Sequence, residues 1–457
     1  MDFRSVIARL EQQGNVVHVK SEVDPVHELA GIAKKFEGQE KVVVFDRVKG
    51  QKYPVACGLW WNRDIIGSLF GVKAGEVPGV FAAAGKSFQE KPVPPVIVEN
   101  PPCQEEVTLT PNLYELTVPT LALEDGGAYF SNCIVIAKDP DTGVRNTSIH
   151  RLMITGKNRL AMLMDVGRHL RSYYERAEAK GQPLEITINN GVDPAVYVCA
   201  TYPGTSITDD ELGVASALSG GEPVRLSRSK TVAVEGLADA EVVIEGRMLP
   251  NIREPEGPFG EVSGFYAQKD NRWVVEVTAI TNRKQPLMST LLPGKEVWNS
   301  VGCTAEAAIL ATVSKMVGGV KNVYLSHGNC GFFGCVVQME PTRPGMGKNA
   351  IMAAFAAFPP MSMVTVVNSD VNIFDAEDVM RAITTRCNVA EDMVVIKHAA
   401  CHELNPATDY GVGTKFGFDC TIKPGQEERN KKSRVPGCGP EPLCNRIGKK
   451  VVKCGLL

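Results

Sequence analysis

The amino-acid sequence predicts an α+β multidomain protein with an N-terminal α/β domain, a central antiparallel β-barrel and a C-terminal α/β domain. Three observations carry that reading. The chain has 457 residues, too many for one hydrophobic core. Helix and strand periodicities alternate before about residue 100 and again after 310, whereas the stretch between is mostly short strands separated by turn signals. Lys91-Pro92-Val93-Pro94-Pro95 and Pro101-Pro102 supply linker chemistry at the first change of texture. The predicted domains are residues 1–104, 105–310 and 311–457.

The N-terminal elements are an amphipathic helix over the first ten residues, a strand at Val16–Val19, a helix around Val26–Phe36 and a strand at Val42–Phe45. In the central region the candidate strands are Cys133–Ile136, Asn146–Ile154, Leu160–Met164, Glu185–Ile188, Val196–Val198, Val232–Val234, Val242–Ile244 and Trp273–Ile280. Asp139-Pro140-Asp141-Thr142-Gly143 is a strong hairpin turn before the second of these. Two helices interrupt the run: His169–Lys180, stopped by Gly181, and Asp209–Leu218. Further on, a helix at Ala305–Met316 and strands at Val323–Leu325 and Cys335–Met339 precede a helix at Gly347–Ala357. A strand at Val364–Val367 and a helix at Ala376–Thr384 complete a βαβ-like order. From about residue 404, Gly, Pro and Lys dominate and an irregular tail is expected.

Composition narrows the function. At 44% hydrophobic and 22% charged the chain is of ordinary globular make-up. A net charge of −3, with no long Lys/Arg run before the tail, argues against nucleic acid. No apolar stretch approaches the roughly 20 residues of a membrane span. The first ten residues lack a signal-peptide core, so a cytoplasmic location is expected. The 13 cysteines are odd in number and scattered, without any Cys-x-x-Cys, so reduced thiols are expected. Cys438, Cys444 and Cys454, with His398, Cys401 and His402 upstream, lack the tight pairs of a zinc finger and read as ordinary side chains.

The densest chemistry lies in Arg253-Glu254-Pro255-Glu256-Gly257-Pro258-Phe259-Gly260-Glu261. Two prolines stiffen this segment and two glycines loosen it, as in a shaped loop between buried strands. Glu256 and Glu261, separated by Gly-Pro-Phe-Gly, can aim at one point, which is what shared proton handling requires. Asn146-Thr147-Ser148-Ile149-His150-Arg151 reads as a strand with Asn146, Ser148 and His150 on one face and Arg151 on the other. Its amide, hydroxyl and guanidinium suit a phosphate or carboxylate. Gly167-Arg168-His169 is a strand-to-helix junction whose free N–H groups suit phosphate. Gly220-Gly221-Glu222-Pro223 presents a carboxylate on a stiff turn. Asn146, His169 and Glu222 would together make an oxygen/nitrogen set suited to Mg²⁺ or Mn²⁺, although spacing alone does not bring them together. Arg343-Pro344-Gly345-Met346-Gly347-Lys348-Asn349 lacks Walker spacing, which excludes a P-loop ATPase and leaves Lys348 as a phosphate contact. Gly413–Asp419 reads as a lid or subunit contact.

Taken in order, these motifs resemble the UbiD family of reversible (de)carboxylases that use prenylated FMN, over nearly the whole chain. The carriers are Asp139–Arg151, Gly167-Arg168-His169, Gly221–Val224, Glu256–Glu261, Pro344–Asn349 and Thr414–Asp419. The resemblance implies a central split β-barrel of the flavin-reductase type and a C-terminal domain used in oligomerisation, as homodimer or homohexamer. It implies Mn²⁺ (or Mg²⁺) held by Asn146, His169 and Glu222 against the cofactor phosphate, with K⁺ close by. Ser148, Ile149, His150, Arg151, Arg168 and His169 would line the flavin, with Lys348 on its phosphate. Arg151, Glu256 and Glu261 would form the family's Glu-Arg-Glu network, while Arg253 and Glu254 fall outside it. His150 occupies a variable position, and the Cys-rich tail after 420 has no counterpart in the pattern.

The implied activity is decarboxylation of an aromatic, heteroaromatic or α,β-unsaturated carboxylic acid, with CO₂ as co-product. The cofactor, supplied by a flavin prenyltransferase, would bond covalently to substrate, and Glu261 would donate the proton. Loss of CO₂ from such a carbon needs an electron sink that no side chain supplies. Met288, Phe332, Phe333, Met339 and Phe355 are candidates either for an apolar pocket wall or for plain core. Two alternatives stand beside this reading: an FMN-dependent reductase on the same barrel, which needs no paired glutamates, and a non-catalytic flavin-binding subunit, which would not need the Arg151 network.

Overall fold

The computed structural model describes residues 1–423 and 425–431, so Cys438, Cys444 and Cys454 lie outside the described residues. The helix Phe3–Gln12 turns Phe3, Val6, Ile7 and Leu10 inward, the spacing of a one-sided apolar stripe, and Asp2 caps it by accepting from the Ser5 amide. It packs beside a four-stranded sheet in the order Val16–Val19, Val42–Phe45, Val55–Cys57, Met288–Ser289. Arg4 reaches from this helix to the fully buried Glu241, its Nε lying 2.8 Å from the carboxylate. The N-terminal unit is thereby tied to the start of a barrel strand.

That barrel is closed. Six antiparallel strands run in the order Val242–Glu256, Leu184–Asn190, Tyr129–Lys138, Arg145–Gly156, Arg159–Met162, Asp270–Asn282, and the last pairs back onto the first. Alternation along Arg145–Gly156 shows how sequence sets position. Leu152 enters the barrel core, whereas Ile149 packs outward against a second cluster that includes the helix Pro194–Thr201. The helix His169–Ala179 lays Leu170, Tyr173 and Tyr174 on the barrel core.

The C-terminal unit is a five-stranded mixed sheet in the order Val320–Tyr324, Gly334–Met339, Met363–Val367, Val412–Cys420, Met393–Ala400. A helix Lys295–Met316 joins it to the rest. Near its start the buried Glu296 accepts backbone N–H groups from Gly58 at 2.8 Å and Leu292 at 3.0 Å. Further along, Glu306 takes a two-pronged contact from Arg63 at 2.7 and 3.0 Å. Buried charges hold only when paired and hydrogen-bonded, so these contacts fix how the N-terminal and C-terminal units meet.

Four sequence expectations are corrected. Val196–Val198 is helical: Asp193 accepts from the Ala195 amide and Pro194 opens the helix Pro194–Thr201, an N-terminal signal outweighed by the β-branched run. Val232–Val234 forms no strand, because its neighbours' amides are spent on side chains. Lys230 and Thr231 donate to Glu245, and Ala233 donates to Glu185. The expected irregular tail contains the strand Val412–Cys420, inserted between two others, with Gly417 lying flat against Ile351 where a Cβ would come within 2.4 Å. Finally, Arg253–Glu256 belongs to a strand rather than a loop. It pairs with Asp270–Trp273 after a register shift, and Pro255 is accommodated beside that irregularity. Among the described residues no single helix is long and apolar enough to cross a membrane.

Candidate active site

A cavity of about 390 Å³ opens between the barrel, the helix Pro194–Thr201 and the C-terminal unit. All six residues of Asn146–Arg151 line it, together with Gly167, Arg168 and His169. The strand geometry supplies a polar file. Asn146 Nδ2 donates to Ser148 Oγ at 3.0 Å, Ser148 meets His150 Nε2 at 3.0 Å, and His150 Nδ1 meets the Leu163 carbonyl at 3.2 Å. The Leu163 carbonyl can only accept, so Nδ1 carries a proton, and in the neutral ring Nε2 accepts from the Ser148 hydroxyl. Burial agrees, pushing the His150 pKa down to about 4.

At one end of the cavity stands an oxygen/nitrogen donor set. Asn146, its amide nitrogen committed to Ser148, keeps its oxygen for a ligand. His169 begins its helix with Nδ1 3.4 Å from Glu211 Oε1. Glu211, only 4% exposed, also accepts the Thr147 amide at 2.9 Å. Arg145 holds the preceding Asp210 and, at 3.1 Å, Glu235, so the strand positions the acidic turn from both sides. Burial raises the Glu211 carboxyl above the ordinary range, against hydrogen bonds from His169 and backbone amides. A bound cation would offset that burial.

Glu222 does not join this set. The structure places it, exposed, on the turn after the helix Leu212–Leu218, lining a different cavity with Asp193 and Asp239. The carboxylate beside His169 is Glu211. Glu211 falls inside the helix expected at Asp209–Leu218, whereas the observed helix begins at Leu212 and leaves Glu211 at its N-terminal edge, beside the strand. Among the described residues no three His, Cys, Asp or Glu side chains converge, so a metal here depends on the Asn146 amide as third donor. Lys348 is also elsewhere: its ammonium bonds the Glu391 carbonyl at the start of the helix Met346–Ala357, away from the cavity lining.

At the other end Arg151 and the two glutamates meet. Arg151 Nε and a terminal nitrogen donate to Glu256 at 3.0 and 3.1 Å, and its other terminal nitrogen pairs with Glu261. Glu256 is fully buried and does not line the cavity, whereas Glu261 does. Tyr129 completes the support: its hydroxyl donates to Glu256 at 2.9 Å and accepts the Gly257 amide at 3.0 Å. Burial and the neighbouring Glu256 push its pKa up, so it remains a donor. The guanidinium lies 5.0 Å over the Phe259 ring, which packs 4.5 Å from Tyr129.

The turn carrying Glu261 is pinned from several sides. Gly257 sits at φ +93°, and a Cβ on Gly260 would come 2.8 Å from that of Ala122. Asp125 accepts the Gly260 amide at 2.7 Å, and Trp298 Nε1 donates to the Val262 carbonyl at 2.9 Å. Arg253 and Glu254 face away, paired with Glu178 and Arg159. The remaining wall is largely apolar: Leu291, Pro293, Val297, Val301, Phe332 and Leu404. Of the five proposed wall residues only Phe332 is there; Met288, Met339 and Phe355 are core. Two further lining residues are His402, which reads in the sequence as an ordinary side chain, and Leu404, at the start of the segment expected to be tail.

Comparison with known proteins gives three domain matches that follow one another along the chain. They are the N-terminal, Rift-related and C-terminal domains of 3-octaprenyl-4-hydroxybenzoate carboxy-lyase, over residues 7–83, 96–296 and 299–420. An uncharacterized protein in the cooM 5' region of Rhodospirillum rubrum is 46% identical, covering 92% of this chain and 91% of its own. Anhydromevalonate phosphate decarboxylase of Methanosarcina mazei is 33% identical, covering 95% and 100%. Among solved structures, the UbiD-class enzyme HmfF from Pelotomaculum thermopropionicum in complex with FMN superposes with a TM-score of 0.91 at 40% identity, covering 97% and 100%. An evolved dimeric form of it in complex with prFMN gives 0.88 at 38%, covering 97% and 99%. The apo 3,4-dihydroxybenzoic acid decarboxylase of Klebsiella pneumoniae gives 0.87 at 30%, covering 97% and 99%.

Proposed function

This chain belongs to the UbiD family of carboxy-lyases, and we propose that it removes CO₂ from an aromatic, heteroaromatic or α,β-unsaturated carboxylic acid with Glu261 as proton donor. The observation that carries the reading is the Arg151 guanidinium held between two carboxylates, one buried and one facing the cavity.

The donor set fits a cofactor phosphate with Mn²⁺ or Mg²⁺. Asn146, His169 and Glu211 would hold the cation, Arg168 would face the phosphate, and Ser148, Ile149, His150 and Arg151 would line the ring system. The cavity volume lies within the range of small-molecule sites. Prenylated FMN, when bound, supplies the electron sink that the side chains lack; a flavin prenyltransferase would provide it, and K⁺ would accompany the divalent cation at the phosphate.

The chain's own contribution is proton control. Glu256 neutralises Arg151 permanently, because Tyr129 and the strand hold it out of contact with the cavity. Glu261 is then free to gain and lose a proton while the guanidinium stays paired. As the carbon–carboxylate bond breaks and CO₂ leaves, Glu261 delivers its proton to that carbon and is reprotonated from solvent. Net, an acid anion plus one proton gives the decarboxylated product and CO₂. The apolar wall excludes competing water.

A homodimer or homohexamer is part of this reading, supported by apolar side chains left exposed on the outer C-terminal strand: Val395 at 51% and Ile396 at 37%. The ten described cysteines are all unbridged, which suits a reducing cytoplasm. The test is to load the purified protein with cofactor, incubate it with a panel of aromatic and unsaturated acids, and measure CO₂ together with NADPH oxidation. CO₂ without NADPH consumption is expected; NADPH oxidation without CO₂ would overturn the reading in favour of a reductase.

A further inference from the structure

We propose that Trp298 is a positioning residue for proton delivery: its indole Nε1–H, by holding the Val262 carbonyl, fixes where the neighbouring Glu261 carboxyl stands in the cavity. The inference rests on the decarboxylase reading with Glu261 as donor. Trp298 does not line the cavity, although Val297 and Val301 of the same helix do. It acts through the peptide that joins Glu261 to Val262.

That peptide bridges the barrel and the C-terminal unit. On the barrel side, Glu261 pairs with Arg151, and Asp125 accepts the Gly260 amide at 2.7 Å. On the other side, the Val262 side chain is buried in the core of the C-terminal unit. Its carbonyl accepts Trp298 Nε1 at 2.9 Å, and the Ser263 carbonyl accepts the Cys330 thiol at 3.8 Å. The turn between is closed on itself. The Glu261 amide donates to the Phe265 carbonyl at 2.9 Å, and the Gly264 amide donates to the Glu261 carbonyl at 3.0 Å, with Gly264 at φ +81°. A turn bonded in this way shifts as one piece, so a displacement of Val262 is passed to Glu261 rather than absorbed.

Trp298 is held firmly enough to serve as the fixed point. Its ring lies against His327 with centroids 5.4 Å apart, and a Cβ on Gly331 would come 2.7 Å from the Trp298 Cα, so that loop lies flat on the helix. His327 is anchored in turn. Asn299 donates its amide nitrogen to the Trp60 and Trp61 carbonyls at 2.9 and 3.0 Å, which leaves its oxygen to accept from His327 Nε2 at 2.8 Å. Burial pushes the His327 pKa down to about 4, so the ring is neutral at pH 7. Among the described residues the Val262 carbonyl has no other donor. Without the indole N–H it is a buried acceptor left unpaired, and the turn tilts to regain a partner. A misplacement of about 1 Å in a reacting group costs about a hundredfold in rate.

The experiment measures CO₂ release by cofactor-loaded protein across a panel of aromatic and unsaturated acids, with flavin absorbance to verify loading. Trp298→Phe deletes the N–H, and benzothienylalanine in place of Trp298 deletes it while keeping the bicyclic shape. Both should lower kcat by about tenfold to a hundredfold with KM and flavin retention close to wild type. In a Glu261→Gln background the same replacements should lower kcat no further, because the group they position is gone. Wild-type kcat with benzothienylalanine overturns the assignment and leaves decarboxylation standing. So does an equal loss with and without the Glu261 carboxyl, or a loss of kcat accompanied by matching losses in KM and flavin retention. Wild-type turnover by Glu261→Gln alone, or no CO₂ from any acid with loaded wild type, overturns the reading beneath this inference and the inference with it.

Discussion

Replacing Glu256 with Gln removes one charge and keeps the side-chain shape. Glu256 is fully buried, takes two hydrogen bonds from Arg151 at 3.0 and 3.1 Å and one from Tyr129 at 2.9 Å, and does not line the cavity. The amide oxygen of Gln can keep one Arg151 contact, but the other becomes an N–H facing an N–H. Breaking a buried ion pair by removing one partner costs about 3–5 kcal/mol. Part of that cost appears on folding, since Glu261 still pairs with Arg151. The rest appears in turnover, because a protonated Glu261 would leave the guanidinium with no carboxylate at all. At about 1.4 kcal/mol per tenfold, even half of the cost lowers kcat by about tenfold to a hundredfold. Urea unfolding and single-turnover CO₂ release on the cofactor-loaded variant separate the two effects. Wild-type stability with wild-type kcat would refute the idea that Glu256 keeps Arg151 neutralised.

Other substitutions test other parts of the site. Glu211→Gln should lower Mn²⁺ and flavin retention by tenfold or more on desalting, whereas Glu222→Gln should leave both unchanged; metal analysis and absorbance decide, and the reverse pattern would restore Glu222. Lys348→Ala should load flavin as wild type does, since its ammonium is engaged by the Glu391 carbonyl. Phe259→Leu removes the ring under Arg151 and beside Tyr129 and should cost about 1 kcal/mol in stability, read by denaturant midpoint, with kcat falling more than KM. His150 has a folded pKa of about 4 against 6.5, so the unfolded chain takes the proton first as pH falls. Its stabilising effect is complete above about pH 6.5 and is lost towards pH 4, up to about 3 kcal/mol, and the difference in unfolding free energy from His150→Gln should shift across that window.

Much of this site was legible because it is local. Asn146, Ser148 and His150 alternate with Arg151 along one strand, and a period of two fixes their faces without reference to the rest of the fold. Glu256 ends a strand and Glu261 lies five positions on, in the turn that follows, so their convergence needed no long-range guess. What escaped the sequence depends on contacts between distant segments. Glu211 meets His169 only because Arg145 and the Thr147 amide hold its turn against the strand, and Gly-Gly-Glu222 carried the more conspicuous local pattern. The strand Val412–Cys420 was hidden by its two glycines, of which Gly417 is there because Ile351 leaves no room for a side chain. With that strand unread, the loop presenting His402 to the cavity was unread too. The helix Pro194–Thr201 was misread because it is buried nearly all round, leaving no periodicity to distinguish it from a strand.

Glu261 as proton donor is tested most directly by cofactor-loaded Glu261→Gln, with product formation and solvent-deuterium incorporation measured in D₂O on an acid that wild type decarboxylates. Retained flavin absorbance with turnover and deuterium incorporation reduced at least a hundredfold is the predicted result. Deuterated product formed at close to the wild-type rate would contradict it.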